Sequence, residues 1–243
     1  MQTAVHDNPK QNRLLAALSS ETYARLASEL ELVSIKRGQV LYEAGSKCSY
    51  AYFPTTCIVS RFLITKNGSS ADLAITGNEG MLGIALLLGG DTVAYRVDVQ
   101  VQGNAYRMRA EALRDEVDQH GELHSHCLRY VQALMAQIAQ SVVCNRHHTL
   151  DQQLCRWLLQ SFDRVPDLQF EITQEQISNI LGVRREGITE AVGNLKAAGL
   201  IRHTRGKVQV IDRFGLEMRA CESYAAVKVE HARLGRLGPI LAT

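Results

Sequence analysis

Residues 171–210, EITQEQISNILGVRREGITEAVGNLKAAGLIRHTRGKVQV, decide the expected fold of the C-terminal part of the chain. The hydroxyl of Thr173 can cap a first helix, and Gly182 can adopt the left-handed conformation that ends it. A second helix is then expected over residues 184–198, with a polar, exposed first turn. Two short helices joined by a tight turn are typical of a helix-turn-helix, whose second helix enters the major groove of DNA.

The segment that follows the second helix has the pattern of a β-hairpin. Two short alternating runs flank Gly206, which predicts a tight turn and hence the wing of a winged helix. Basic residues concentrate in this part of the chain, although the formal net charge of the whole protein is only +2. A local basic face on a nearly neutral protein favours attraction of DNA phosphates. The basic residues are Arg184, Arg185, Lys196, Arg202, Arg205 and Lys207.

Length and composition indicate an ordinary globular protein. The chain has 243 residues, of which 46% are hydrophobic and 21% charged, enough for two domains with separate cores. The N-terminus has no apolar segment behind a basic patch, and the longest apolar run, MLGIALLLGG, is too short to span a bilayer. We therefore expect a cytoplasmic protein with no membrane partner. The six cysteines are scattered without a CxxC pair, which argues against a disulfide framework.

The N-terminal part of the chain has the pattern of helices followed by an antiparallel sheet. Residues 11–30 predict one or two short helices. Between Glu31 and Arg109, apolar and polar residues alternate and turn signals recur about every ten residues, which predicts a closed or sandwiched sheet. Residues 78–91, NEGMLGIALLLGGD, break the alternation and predict a short helical turn inside that sheet. A glycine-flanked apolar insertion of this kind can frame a small-molecule pocket.

A long helix is expected over residues 121–148, because this stretch has no proline and no internal glycine. At 1.5 Å per residue it would be about 40 Å long. Apolar residues recur along it at spacings of three and four, which predicts a seam for a second copy of the chain, although packing on its own domain explains part of the pattern. The expected seam consists of Cys127, Val131, Leu134, Ile138, Ser141 and Val142.

An antiparallel sheet, a long helix and a winged helix-turn-helix, in this order, resemble the superfamily of the cyclic-AMP receptor protein and the fumarate-nitrate regulator. The strongest match is residues 172–201, with support from YAYFPTTCIVS, NEGMLG and LDQQLCRWLL. The resemblance covers nearly the whole chain and implies an α+β fold. Its expected parts are an N-terminal antiparallel β-roll sensor with leading helices over 1–119, a dimerisation helix over 120–148, and a winged helix-turn-helix with a C-terminal helical extension over 149–243.

The resemblance implies a homodimeric transcription regulator that reads a two-fold symmetric site on double-stranded DNA and contacts RNA polymerase. By the family's pattern, the base-reading residues are Arg185, Glu186, Thr189 and Glu190. Arg185 can donate two parallel hydrogen bonds to guanine, Glu186 can accept from cytosine N4, and Thr189 can touch a thymine methyl group.

Glu190 departs from the family, since many members carry arginine at the matching place. A carboxylate there would be repelled by phosphate, so Glu190 either orients Arg184 or Arg185 or is simply solvated. Contacts to the DNA backbone, which set register without reading sequence, are expected from other side chains, each of which could instead be a solvated surface group. They are Thr173, Gln174, Arg184, Lys196, Arg205 and Lys207.

The ligand of the sensor is left open, and no cofactor is predicted. Cyclic-nucleotide-binding members carry a Gly-Glu pair for the ribose and, about ten residues on, an Arg-Ser or Arg-Thr pair for the phosphate. Here the matching pairs are Gly83-Ile84 and Ala94-Tyr95, with Arg96 nearby as a substitute cation. An isoleucine cannot accept ribose hydroxyls, and a phosphate without a cation loses a charge-assisted bond, so ordinary cyclic AMP is not expected. The expected pocket comprises Gly83, Ile84, Tyr95 and Arg96.

Two groups of histidine and cysteine lie on the long helix and have spacings that can bind zinc or a haem iron. The first is His120, His124 and Cys127, and the second is Cys144, His147 and His148. A polar helix end with a core cysteine is the simpler explanation of either group, so no metal site is predicted. An N-terminal cysteine cluster for an iron–sulfur centre is absent from the sequence, and a redox role for Cys144 or Cys155 would need an exposed thiol of lowered pKa.

An enzymatic function is not expected. The glycine-rich segments do not form a GxxxxGK loop, no serine lies in a GxSxG motif, and the carboxylates form no recognisable acid–base pair. The alternative to a DNA-binding regulator is a sensor or scaffold module that uses its helix-turn-helix for protein contact. Binding to random duplexes at low and high salt discriminates between the two.

Overall fold

The computed structural model of the protein describes residues 8–66, 68, 70–165 and 168–235. Residues 1–7 and 236–243 of the expected first and last domains lie outside this range. Two short helices, α1 (Arg13–Ala16) and α2 (Ser20–Ala27), follow a single turn of 3-10 helix at Pro9–Gln11. The buried amide of Asn12 attaches this segment to the sheet, because it donates hydrogen bonds to the carbonyls of Pro54 at 2.9 Å and Gly80 at 2.8 Å.

The N-terminal domain is an antiparallel β-roll, as expected from the alternating pattern. The strands are β1 (Glu31–Ile35), β2 (Val40–Tyr42), β3 (Tyr50–Pro54), β4 (Ile58–Ile64), β5 (Ser70–Thr76), β6 (Arg96–Val101) and β7 (Gly103–Arg109). One sheet has the order β1-β7-β3 and the other β2-β6-β4-β5, and every pairing is antiparallel. The expected helical insertion is a 3-10 helix at Ile84–Leu88. Helix α3 (Ala110–Asp118) closes the domain.

The long helix α4 (Glu122–His147) has 26 residues and a length of about 39 Å. Most of the expected dimer seam faces the protomer's own core, which corrects the sequence-based assignment. Cys127, Val131 and Leu134 are buried in the roll core, and Ile138 is partly buried against it. Ser141 is also buried, but its hydroxyl accepts a hydrogen bond from Arg156 of the C-terminal domain. Of the six seam residues, only Val142 is exposed, at 64%. The spacing of three and four therefore records a face buried by the β-roll.

The C-terminal domain is a winged helix. It contains α5 (Leu150–Phe162), β8 (Gln169–Glu171), α6 (Gln174–Leu181), α7 (Arg185–Ala197), β9 (Ile201–Thr204) and β10 (Lys207–Val210). The strands form an antiparallel sheet of order β8-β10-β9, in which β9 and β10 are the expected wing. Trp157, Leu158 and Leu195 are fully buried in its core. The extension forms two helices, α8 (Arg213–Arg219) and α9 (Glu222–Gly235), and α9 packs along α4.

The two domains are packed directly against each other. Ile58, Phe62 and Ile75 project from the outer face of the roll and belong to the same buried cluster as the core of the C-terminal domain. Strand β4 is therefore buried on both faces, because Val59 points into the roll. An ion pair also crosses this contact: Nε of Arg164 lies 2.7 Å from Oε1 of Glu79, and both side chains are no more than 10% exposed.

Across the described residues, no helix is both long and apolar enough to cross a bilayer.

Candidate nucleic-acid interface and sensor interior

The turn of the helix-turn-helix is shaped by Gly182. Its φ of +66° is the left-handed conformation that ends α6, and a Cβ at this position would lie 2.8 Å from the carbonyl oxygen of Ser70 on β5. Glycine is thus required for conformation and for space. At the other end of α6, Thr173 and Gln176 form a reciprocal capping box. The cap at Thr173 and the left-handed Gly182 fix the two ends of α6, and α7 begins three residues after Gly182.

The first turns of α7 expose the four residues expected to read bases, Arg185, Glu186, Thr189 and Glu190, while Ile188 is buried beneath them. The Thr189 hydroxyl lies 3.0 Å from Oε1 of Gln174 and 3.1 Å from the carbonyl of Arg185. Because the hydroxyl has these acceptors within its own domain, the methyl group of Thr189 is the part left for an outside contact.

The cations of this surface are exposed and are not committed to acidic partners. Within the described residues, no ion pair involves Arg184, Arg185, Lys196, Arg205 or Lys207. Glu190 likewise forms no ion pair with Arg184 or Arg185 there, so its solvated interpretation fits the geometry better than an orienting role. Charges that are free in the protein alone can neutralise phosphates without first breaking an internal salt bridge.

The wing ends in a two-residue loop. Thr204 pairs with Lys207, and the loop residues Arg205 and Gly206 have φ values of +50° and +75°, which is the pattern of a type I′ turn. Arg205 is exposed at the tip, next to Lys207. Lys207 also pairs with Glu171 on β8, and the Glu171 carboxylate lies 3.3 Å from Nη1 of Arg37 in the N-terminal domain. The wing is thereby connected to the roll.

The four expected pocket residues of the roll are divided between its two faces. Gly83 starts the 3-10 helix with φ of +88°, and Ile84 and Tyr95 pack against the roll core. Arg96 points to the opposite face, since its neighbour Val97 is in that core. Its guanidinium is held by Asp98 at 2.7 Å and Glu43 at 3.3 Å, beside a cleft of about 330 Å³ between the sensor sheet and α6. Arg96 therefore does not replace the missing phosphate cation inside the roll.

A different arginine, which sequence reasoning missed, occupies the roll interior. Arg61 on β4 is fully buried, and its guanidinium donates to the Thr76 hydroxyl, to the Met81 carbonyl at 3.0 Å and to the Tyr130 hydroxyl at 3.3 Å. The guanidinium also lies 5.9 Å from the ring centroid of Tyr95. The sequence feature that could have revealed Arg61 is the presence of an arginine among the apolar residues of this strand. This network joins the roll to the long helix through Tyr130.

The first histidine–cysteine group does not converge on one point. His120 and His124 have ring nitrogens 3.4 Å apart near the surface, whereas Cys127 is buried and contacts Met81. Burial raises the pKa of the Cys127 thiol to about 12, and likewise that of Cys155, so neither thiol has the lowered pKa of a redox sensor.

Two family models match the chain. Residues 32–120 match the cyclic nucleotide-binding domain, and residues 152–219 match the Crp-like helix-turn-helix domain. A domain of cyclic nucleotide-binding type followed by a winged helix is the domain order of a class of DNA-binding regulators. With both domain types present in this order, the chain belongs to the Crp/Fnr family of transcription regulators, which are not enzymes.

Solved structures of the family have the same fold. A CRP-family transcriptional regulator from Thermus thermophilus has a TM-score of 0.63 and 18% identity, with coverage of 77% of this chain and 96% of that one. FixK2 from Bradyrhizobium japonicum has a TM-score of 0.62 and 14% identity, with coverage of 79% of this chain and 98% of that one. A second Thermus thermophilus regulator, of the CRP/FNR family, has a TM-score of 0.52 and 22% identity, with coverage of 78% of this chain and 98% of that one. No curated protein matches the sequence significantly.

Proposed function

We propose that the protein binds a two-fold symmetric DNA site as a homodimer and reads its bases through the first turns of α7. The observation that carries this proposal is the exposed polar tip of α7, where Arg185 stands without an acidic partner among the described residues. Arg185 recognises guanine, Glu186 cytosine and the Thr189 methyl group thymine, while Glu190 is solvated.

The register of the protein on DNA is set by phosphate contacts around this tip. The cap of α6 presents Thr173 and Gln174 on one side, and the wing presents Arg205 and Lys207 on the other. Arg184 and Lys196 supply charge at the two ends of α7. Such contacts are independent of sequence and make binding sensitive to salt.

The proposed dimer uses a different face of α4 from the one expected from its apolar spacing. A stripe of exposed or partly exposed side chains repeats at alternating intervals of four and three, which is the pattern of a coiled-coil seam. Met135 and Val142 near its centre are 66% and 64% exposed. Two copies of this stripe would bury both side chains. The stripe consists of Leu128, Gln132, Met135, Ala139, Val142 and Arg146.

Replacing Met135 by alanine should weaken the dimer. Loss of the apolar area that the two copies would bury removes about 1–2 kcal/mol. The dimer dissociation constant, measured by sedimentation equilibrium, should then rise about 5- to 30-fold. Met218→Ala is the matched control, because Met218 on α8 is 71% exposed and lies off the stripe. An unchanged dissociation constant for Met135→Ala would remove the stripe from the interface.

Selection of bound duplexes from a random pool tests the proposed function most directly. The enriched sequences should be palindromic, with half-sites about one helical turn apart, because two reading helices would enter successive major grooves. Enrichment of asymmetric sequences would contradict the symmetric dimer. Equal retention of all duplexes at every salt concentration would contradict base reading.

We further propose that the roll is the sensor and that its signal reaches DNA through the contact between β5 and α6. The Ser70 hydroxyl donates to the Asn179 carbonyl at 3.0 Å, and Gly182 approaches the Ser70 carbonyl. Ordinary cyclic AMP is not the proposed signal, since Ile84 offers the ribose no acceptor and Arg96 is bound by acidic neighbours. As a regulator the protein would act in the cytoplasm and contact RNA polymerase.

A further inference from the structure

Two cysteines and a histidine from separate segments meet where the long helix ends. Cys144 lies in the last turn of α4, His148 directly follows that helix, and Cys221 lies in the short connection between α8 and α9. The two sulfur atoms are 3.3 Å apart. Both sulfurs and a ring nitrogen of His148 lie within 4.8 Å of one another. Cys221 is 77 residues from Cys144 in sequence, so only the packing of α9 on α4 brings them together.

The histidine has one nitrogen engaged and the other free. Nε2 of His148 lies 3.2 Å from Oε1 of Glu222, whereas Nδ1 is buried and has no hydrogen-bond partner. When Nε2–H donates to the carboxylate, the lone pair of a neutral imidazole is on Nδ1. A carboxylate on the second nitrogen is the usual support of a metal-binding histidine, because it fixes the tautomer and the ring orientation. A metal ion would also satisfy the buried Nδ1.

The two thiols are buried and in direct contact. Sγ of Cys144 lies 3.3 Å from Sγ of Cys221, and neither cysteine is in a disulfide. Thiolates are the form that binds metals, so a divalent ion that binds here would displace the protons of both thiols.

We propose that Cys144, Cys221 and His148 form a binding site for zinc, a thiophilic divalent metal ion. Two bonds of about 2.3 Å at a tetrahedral angle separate sulfurs by about 3.8 Å, so the pair needs to open by only about half an ångström. The Glu222 carboxylate is largely exposed, so it lies on the solvent side of His148. His147, the other histidine of this helix end, is exposed and outside the group.

The proposed site would connect three parts of the chain. It joins the last turn of α4, the start of the connection to α5 and the connection between α8 and α9. Occupancy would hold the C-terminal extension against the long helix, which leads directly into the DNA-binding domain. The bound metal would therefore stabilise the packing of the C-terminal extension against α4, the helix between the two domains.

Metal binding to the reduced full-length protein tests this proposal. Competition with a chromophoric zinc chelator should give one zinc per chain, and cobalt should give the visible absorption of a tetrahedral thiolate site. Cys144→Ala, Cys221→Ala and His148→Gln should each lower zinc affinity at least tenfold, and Glu222→Gln should lower it about 10- to 100-fold. Cys127→Ala is the matched control, as it removes another buried thiol of α4 and should leave the affinity unchanged.

Several results would overturn the proposal. They are a stoichiometry well below one, an affinity that the three ligand variants do not change, and loss of two free thiols per chain with no metal retained. The last would show that the pair forms a disulfide instead. His148→Gln keeps the test valid if a cysteine variant fails to fold, since this side chain lies at the edge of the buried region, and circular dichroism reports folding for each variant.

Discussion

Arg185→Ala should weaken binding to the selected duplex by about 1–3 kcal/mol, or about 5- to 150-fold. The side chain is exposed on the first turn of α7, and a bidentate hydrogen bond to guanine is the strongest base contact available to this surface. Without it, one position of the site should tolerate every base. Fluorescence anisotropy with the selected duplex and its single-base variants measures both effects.

Lys207→Ala provides the contrast on the same surface. Lys207 is an exposed cation of the wing without an ion-pair partner in the described chain, and it is expected to contact a phosphate. Its loss should weaken all duplexes alike and reduce the salt dependence of binding by about one unit of slope. If Arg185→Ala also weakened all duplexes equally, direct reading of bases by Arg185 would be wrong.

Glu79→Ala should lower the free energy of unfolding by about 3–5 kcal/mol, because it leaves the guanidinium of Arg164 buried without its partner. The pair joins the roll to the residues just after α5, with Nε of Arg164 2.7 Å from Oε1 of Glu79. The second carboxylate oxygen of Glu79 accepts a hydrogen bond from the backbone N–H of Gly77 at 3.1 Å. Urea unfolding measures the loss. Glu31→Ala is the control, since the Glu31 carboxylate that pairs with Arg107 is mostly exposed and its loss should change the free energy of unfolding far less.

The same ion pair should make the free energy of unfolding depend on pH in the acidic range. Burial alone would raise the pKa of Glu79, but the Arg164 guanidinium and the nearby His231 lower it below its ordinary value. A carboxyl with a lowered folded-state pKa stabilises the fold above its unfolded pKa of about 4.3, and this contribution disappears as the pH falls through the folded value. The difference in stability between wild type and Glu79→Gln should therefore shrink below about pH 4. A difference that stays constant would contradict the ionised pair.

Features with local causes were predictable from the sequence. Thr173, Gly182 and Gly206 act through a cap or a backbone conformation within a few residues, so the helix-turn-helix and the wing follow from short patterns. The roll follows from alternation, because alternate residues of its strands lie in the roll core. Glu186 and Arg185 were placed correctly on an exposed first turn for the same reason, although their contacts with DNA stay predictions.

Features that depend on distant packing were not predictable in this way. The repeat through Cys127 and Leu134 indicates that a face of α4 is buried but does not identify what buries it, and the roll does so. The exposed stripe includes Gln132 and Arg146, so apolar spacing did not reveal it. Cys221 lies far from Cys144 in sequence and joins it only because α9 folds back along α4.

The sharing of Ile58, Phe62 and Ile75 with the core of the C-terminal domain has a consequence for how the chain can be divided. A fragment that begins at Thr149 would expose to water the apolar surface that these side chains cover. Such a fragment would be prone to aggregate. Replacement of the β-roll by that of another regulator would therefore require matching apolar side chains on the fourth strand of the new roll. The boundary between the two folding units follows this apolar surface of the sheet and not the end of the long helix.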